Sequence, residues 1–213
     1  MTSNDISTLA VPTALLTLIH TRAGQPFQRF HPETLTAAAE LAELIVQGDA
    51  EVADGRIVSA TATAAGPAWR TDIAARLART VGNDGIEVRT WLSDRKDAYT
   101  VHVDEAHRSG IVETAGKKFL GLFDYRRTLV DQEIRAAVIA RLTDRAAADD
   151  PRVEALAALV DKADVTSILG LDRAQRQQLK RVAANSSATS IGTSLSSMTV
   201  ALTTVGYVTV IGG

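Results

Sequence analysis

Basic side chains cluster in the middle of the chain. Seven of the 23 Lys and Arg residues fall between positions 95 and 127: Arg95, Lys96, Arg108, Lys117, Lys118, Arg126 and Arg127. Cations beside apolar residues can hold an anionic group such as a lipid headgroup at an interface. The plain alternative is a set of solvated side chains on the protein surface. The spacing leaves both interpretations open.

A second basic run lies near the C-terminus and consists of Arg173, Arg176, Lys180 and Arg181. The first three are spaced i, i+3 and i+7, so they share one face of a helix. The same two interpretations apply to this run, a solvated helix face or a contact with anionic headgroups.

Residues suited to acid–base catalysis or metal binding are sparse. His102 and His107 are five positions apart, which separates them by about 140° on a helix, whereas a zinc-binding helix needs two His on one face. The sequence contains no nucleophile elbow, Walker loop or dinucleotide-binding glycine motif. With no Cys, it also lacks a disulfide framework and a thiolate metal site. We therefore expect a non-enzyme without metal or cofactor.

The central cations belong to a segment whose pattern predicts a β-hairpin between two helices. An outward-facing hairpin of this composition suits a membrane interface or a protein partner, whereas an inward-facing one is core. Its predicted parts are a helix end at Gly110, an apolar run at 111–112, a turn at 113–118, an apolar return at 119–123, and a capping box from Thr128 to Asp131.

Periodicity on both sides of this hairpin predicts helices. The run 13–20 is either a helix or a buried strand, because its length does not decide. Further predicted helices cover 32–47, 67–80, 86–92, 96–109, 128–147, a segment from Pro151, and 172–184, and Ala53-Asp54-Gly55 is the turn of a hairpin over 50–60. The predicted fold is mainly α, a single globular helical domain with two small β-hairpins. We divide the chain into an N-terminal extension (1–11), the helical domain (12–185) and an uncharged, Ser/Thr-rich apolar C-terminal segment (186–213).

Composition is that of an ordinary soluble globular protein, with 46% hydrophobic and 23% charged residues. A net charge of −2 disfavours binding to nucleic acid. The chain starts without a basic region ahead of its first apolar run, so we expect no secretory signal. The stretch 191–211 is long enough to span a bilayer, but it is rich in Ser and Thr, and packing of this terminal segment on the domain is favoured.

Several motifs in order resemble one family. They are Ser109-Gly-Ile-Val112, Lys118-Phe-Leu-Gly-Leu-Phe123, Arg126-Arg-Thr-Leu-Val-Asp131 and Asp150-Pro-Arg-Val-Glu-Ala-Leu156. Over about residues 12 to 205 the chain resembles the Golgi phosphoprotein 3 family in its actinobacterial form. The resemblance implies a single, mostly helical domain that sits peripherally on cytosolic membrane faces. Eukaryotic members bind phosphatidylinositol 4-phosphate and act as adaptors that hold glycosyltransferases in the Golgi.

The resemblance also implies where a headgroup pocket lies. The family uses a Trp before its early helix, an Arg near the start of that helix, and two basic residues in the helix before the hairpin. Here Gln28, flanked by Phe27 and Phe30, falls at the Trp; Ala37 falls at the Arg; Lys96 keeps one basic position and Tyr99 replaces the other. The apolar hairpin positions that serve membrane contact and self-association are better kept, at Phe119, Leu120, Leu122 and Phe123.

These observations predict a peripheral membrane-associated binding or adaptor protein in the cytoplasm, at the inner face of the membrane. Its partner would be an anionic, phosphoinositide-like lipid, contacted by Lys96, Lys117, Lys118, Arg126 and Arg127. The apolar hairpin residues would lie at the interface or in a dimer contact. One alternative is a protein–protein scaffold of the same fold that has lost the lipid pocket, with a protein client or a second copy as its partner. Another is a winged-helix-like nucleic-acid binder, suggested by the helix–hairpin pattern occurring twice.

Overall fold

The structure, a computed structural model, describes residues 8–21, 24–26, 31–119 and 123–185; side chains within these ranges are described except at 114–119, 123–127 and 185. Helices predominate in these ranges, as predicted. The helices are α1 (Val11–Ile19), α2 (Pro32–Val46), α3 (Ala68–Thr80), α4 (Val88–Asp94), α5 (Ala98–Arg108), α6 (Gln132–Thr143), α7 (Pro151–Lys162) and α8 (Arg173–Asn185). The strands are β1 (Ala50–Ala53), β2 (Arg56–Ala60), β3 (Ile86–Glu87), β4 (Val112–Phe119) and β5 (Phe123–Val130).

Helices α1 and α2 form the centre of the core. Every residue of α1 is buried, and α2 is buried from Leu35 to Ile45. Helix α2 packs against α1, α5 and α7, and α1 contacts α6 as well. A helix that is apolar on all sides must be surrounded by other elements. The ambiguous run 13–20 is therefore helical as far as Ile19, and His20 forms a β-bridge with Pro26.

The first sheet contains the predicted hairpin and one further strand. Asp54 and Gly55 both have positive φ, at 50° and 73°, which is the backbone of the two-residue type I′ turn that joins β1 to β2. The helix predicted from position 86 starts two residues later. Ile86 and Glu87 instead pair with β2 as β3, with Ile57 opposite Ile86.

The central hairpin is longer than predicted, and its turn lies elsewhere. Strands β4 and β5 pair without a break from Val112–Val130 to Phe119–Phe123. The predicted turn at 113–118 is therefore wrong, because these residues are paired in β4. Position 119 ends one strand and position 123 begins the next, while Leu120 and Leu122 lie outside the described residues.

The capping prediction for α6 is also wrong at its first residue. Thr128 is part of β5, and Asp131 is the N-cap, whose carboxylate accepts the backbone N–H groups of Glu133 and Ile134. The two helices that follow are also capped by Asp side chains at their N-termini. Asp150 accepts the Arg152 N–H at the start of α7, and Asp172 exchanges two hydrogen bonds with Gln175, 2.8 and 3.0 Å long, at the start of α8.

None of the helices in the described ranges combines the length and hydropathy needed to cross a bilayer. The C-terminal segment 186–213, for which packing on the domain was predicted, lies outside the described residues.

Candidate functional site

An open cleft lies between the start of α2 and the junction of α4 with α5. Its volume is about 370 Å³, and it is lined by His31, Glu33, Thr34, Leu92, Ser93, Arg95 and Lys96. Two predicted features meet here, the only basic family position that this chain keeps, Lys96, and the start of the early helix. Lys96 is exposed, so its ammonium is available to a ligand in the cleft.

The start of α2 contributes backbone donors to this cleft. Its first residue is Pro32, and within the described residues no side chain caps the helix. The first N–H groups of a helix have no partner inside the helix and carry a partial positive charge, so they suit an anion. The N–H groups of Glu33 and Thr34 belong to this first turn. The Glu33 carboxylate also lines the cleft, so its electrostatics are mixed.

Arg95 forms part of the cleft wall but is held from below. Its side chain is 5% exposed, and its Nε and Nη2 atoms donate to the two carboxylate oxygens of Glu40 at 2.9 and 2.7 Å. Nη1 donates to Asp97 at 2.6 Å. Burial alone would lower the pKa of Arg95, but the hydrogen bonds and charges of Glu40 and Asp97 outweigh it and raise that pKa. Arg95 is therefore a fixed, charged wall residue rather than a mobile ligand arm.

Beneath Arg95 the buried network continues to a histidine. His102 Nε2 lies 3.1 Å from the same Glu40 oxygen that Arg95 Nη2 contacts. The ring of His102 meets Trp69 edge-on at 4.6 Å between centroids. Because Glu40 and His102 are both fully buried, the network joins α2, α5 and α3 and holds the α4–α5 junction in position.

The hairpin register brings its four predicted cationic positions together. Arg127, Arg126, Lys117 and Lys118 occupy four consecutive cross-strand pairs, opposite Ala115, Gly116, Tyr125 and Asp124 respectively. The next pair, Phe119 with Phe123, is the last before the tip. The backbone therefore groups the basic positions directly behind an aromatic pair.

The family model for Golgi phosphoprotein 3 (GPP34) matches residues 12–199. The chain belongs to the Golgi phosphoprotein 3 family. The match begins where the helical domain was predicted to begin and runs into the uncharged C-terminal segment. Members of this family are non-catalytic binding proteins, so membership indicates a Golgi phosphoprotein-like binding protein. A search of the curated proteins returned no match.

Two of the other predicted pocket residues, Ala37 and Tyr99, do not line the cleft. Ala37 is fully buried inside α2. Tyr99 is half-buried, and its hydroxyl donates to His20 Nε2 at 2.7 Å. Burial raises the pKa of Tyr99, and a hydrogen bond with Thr128 opposes that effect. Phe27, Gln28 and Phe30 lie outside the described residues.

Sequence reasoning missed two buried carboxylates of α2, Glu40, which holds the cleft residue Arg95, and Glu43, which joins α2 to other helices. Glu40 and Glu43 stand within the apolar stripe of α2, and carboxylates at such positions are buried only when paired. The sequence itself therefore indicated that both carboxylates have buried partners. Glu43 binds Arg152 of α7 through two guanidinium nitrogens and accepts the Val11 N–H at 2.9 Å, which ties three helices together.

The histidines do not form a metal site in the described part of the chain, where no group of three His, Asp or Glu side chains is placed to hold an ion. His102 is fully buried, whereas His107 is exposed on the same helix. His20 is buried, with Nδ1 on the Leu16 carbonyl at 2.7 Å. These contacts are structural.

Proposed function

We propose that this protein is a peripheral membrane-associated binding or adaptor protein that recognises an anionic, phosphoinositide-like lipid headgroup at the inner face of the membrane. The observation that carries the proposal is the cleft itself, where exposed Lys96 faces the start of α2, whose first turn carries no side-chain cap among the described residues. A lysine ammonium and free helix N–H groups are complementary to a phosphate.

The cleft would bind the lipid headgroup, and the hairpin would contact the membrane surface around it. Lys117, Lys118, Arg126 and Arg127 would contact neighbouring anionic headgroups. Their positions lie in adjacent cross-strand pairs, and successive pairs alternate between the two faces of the hairpin. Phe119, Leu120, Leu122 and Phe123 would lie at the interface or contact a second copy of the chain. Such a combination of cations and apolar side chains holds a protein on a membrane without spanning it.

Arg95 acts here as a positioning residue. Its guanidinium is bound by Glu40 and Asp97, so it fixes the loop that carries Lys96 instead of releasing its charge to a ligand. Loss of this support would displace Lys96 relative to α2.

The test is sedimentation with vesicles of phosphatidylcholine that contain either phosphatidylinositol 4-phosphate or, at matched charge, phosphatidylglycerol. Wild type should prefer the phosphoinositide, and Lys96→Ala should weaken that binding about fivefold, the value of one cation near an anionic surface. Lys162→Ala is the control because Lys162 is exposed on α7 and does not line the cleft. Equal losses in the two variants, or none in Lys96→Ala, would contradict a headgroup site in the cleft.

The hairpin is tested separately by charge reversal at Lys117 and Lys118. Reversal should reduce binding to both kinds of anionic vesicle, because these residues are proposed to contact the general surface. Unchanged vesicle binding would mean that the hairpin does not contact the lipid surface.

A protein–protein scaffold of the same fold is the second candidate, and one observation favours it. Two family pocket positions have structural roles here: Ala37 is inside the core and the Tyr99 hydroxyl is bound by His20. A wild-type protein that binds no vesicle but sediments as a dimer, with Phe119 or Phe123 substitutions returning it to monomer, would favour this candidate.

A further inference from the structure

Helix α8 carries a one-sided basic surface that the headgroup cleft does not use. Arg173, Arg176, Lys180 and Arg181 are all exposed, and α8 contains no acidic residue. At 100° per residue they lie within an arc of about 140°. Leu179 and Val182, outside that arc, are buried where α8 packs on α7 and α6. We call these four cations the α8 basic face.

The α8 basic face is also unpaired within the described residues. Elsewhere many exposed or half-exposed cations are bound to carboxylates, as Arg56 is to Glu87 and Arg108 is to Glu105. The four α8 side chains make no hydrogen bond or ion pair with any described residue. No ion pair therefore neutralises these four side chains, although the Asp172 carboxylate lies at the N-cap directly before them and the whole chain has a net charge of −2.

We propose that the α8 basic face is a second membrane contact, which binds an anionic lipid surface through non-selective electrostatic attraction. It goes beyond the headgroup cleft, with which it shares no residue. From Arg173 to Arg181 the helix rises about 12 Å, so the four cations extend along one side, which suits a flat, charged surface rather than one headgroup.

The sequence that follows α8 favours lipid over other anionic partners. Residues 186–213 contain no charged residue and include Ile, Leu and Val throughout. Four cations directly before an uncharged, partly apolar segment match the composition of membrane-surface contacts, in which cations meet headgroups and neighbouring apolar residues meet the interface. Nucleic acid, by contrast, is usually bound by proteins with an overall basic surplus.

The test compares two variants of the full chain with the same change in net charge. The α8 variant carries Arg173→Gln, Arg176→Gln, Lys180→Gln and Arg181→Gln. The control carries Arg79→Gln, Arg89→Gln, Arg145→Gln and Lys162→Gln, which are exposed positions on other elements. The probes are vesicles of phosphatidylcholine alone and of phosphatidylcholine with phosphatidylglycerol, at low and moderate salt. Circular dichroism verifies that each variant is folded.

The α8 variant should bind phosphatidylglycerol vesicles at least about tenfold more weakly than wild type at low salt, with a shallower dependence on salt. The control should stay within about twofold. If the α8 variant fails to fold, the half variant with only Arg176→Gln and Lys180→Gln should show a smaller loss in the same direction. Binding by the α8 variant equal to wild type, or equal losses in both variants, would overturn the proposal.

Two further outcomes distinguish this proposal from nucleic-acid binding and from the proposed headgroup cleft. Preferential binding of wild type to duplex DNA, abolished in the α8 variant while vesicle binding persists, would overturn the lipid assignment in favour of nucleic acid. The preference of wild type for phosphoinositide over phosphatidylglycerol vesicles of matched charge reports on the cleft and not on the α8 basic face. If wild type shows no such preference while the α8 variant still loses binding to phosphatidylglycerol vesicles, the cleft fails as a headgroup site and the α8 proposal stands.

Discussion

The buried pair of Glu40 and Arg95 permits a quantitative prediction about the support of the cleft. Arg95→Ala removes two hydrogen bonds to a carboxylate that is fully buried. Glu40 would keep His102, 3.1 Å away, as its remaining side-chain partner in the described part of the chain. Removing one member of a buried ion pair costs about 3–5 kcal/mol, because the other charge remains in the core without compensation.

Urea denaturation followed by circular dichroism measures this loss. The free energy of unfolding of Arg95→Ala should fall by about 4 kcal/mol. In a domain of this size each kcal/mol corresponds to roughly 2–4 °C, so the melting temperature should fall by roughly 10 °C. Arg89→Ala is the matched control, because Arg89 is exposed on the adjacent α4, and it should change stability by less than about 0.5 kcal/mol.

A double-mutant cycle separates the lost pair from lost packing. Glu40→Gln removes the buried negative charge, so in the Arg95→Ala background it should restore at least about 1 kcal/mol. Two results would refute the reasoning. One is a loss below about 1 kcal/mol in Arg95→Ala. The other is a double mutant in which the two single losses add fully, which would mean that the charges of Glu40 in α2 and Arg95 at the α4–α5 junction do not interact.

Three other perturbations test the fold around the site. Gly85→Ala should destabilise by about 1–3 kcal/mol, because φ is +67° and a Cβ would lie 2.6 Å from the Ile57 carbonyl oxygen; a neutral result in denaturation would mean that β3 does not pair with β2 as described. Asp131→Ala should cost about 1 kcal/mol through loss of the α6 cap, whereas Asp131→Asn should cost less; equal losses would exclude capping. Burial lowers the pKa of His20, opposed by its bond to the Leu16 carbonyl and reinforced by the charge of Arg135. His20 therefore takes up a proton more readily in the unfolded chain than in the folded one, so the free energy of unfolding should fall as pH drops through 6.5. Between about pH 7.5 and about pH 5.5 the melting temperature should decline more steeply in wild type than in His20→Gln.

Helix α2 shows what local sequence can predict. Pro32 at the first position, a broad apolar stripe and Gly48 after the end mark a helix that needs no tertiary information. The observed helix ends within one residue of the prediction, and Gly48 has a φ of +74°. Each of these signals acts within a few residues, which is why periodicity and capping suffice.

The central hairpin shows where local signals fail. Gly116 and the two lysines after it look like a turn, but the chain pairs straight through them. Register in a hairpin is set by how the whole length of both strands matches, and here the match extends from Val112 opposite Val130 to the aromatic pair. A turn residue inside a long strand cannot outweigh that many cross-strand pairs.

The cleft depends on contacts between distant segments. His31 and Glu33 come from the start of α2, whereas Lys96 follows α4, and the packing of α2 on α4 and α5 brings them to one opening. The family resemblance identified Lys96 but gave no indication of the acidic Glu33 beside it. Such a pairing is a property of the helix arrangement and not of either segment.

Tyr99 explains how this chain can keep the family fold with a different pocket. Its hydroxyl binds His20 after α1 and Thr128 in β5, so it links two elements that flank the hairpin base. Thr128 in turn donates its N–H to the Gly24 carbonyl at 3.1 Å. A basic side chain in place of Tyr99 would break the bond to His20, and one in place of buried Ala37 would have to enter the core. In the proposed function, headgroup selectivity therefore rests on the opening between Lys96 and the start of α2, which has a mixed-charge lining.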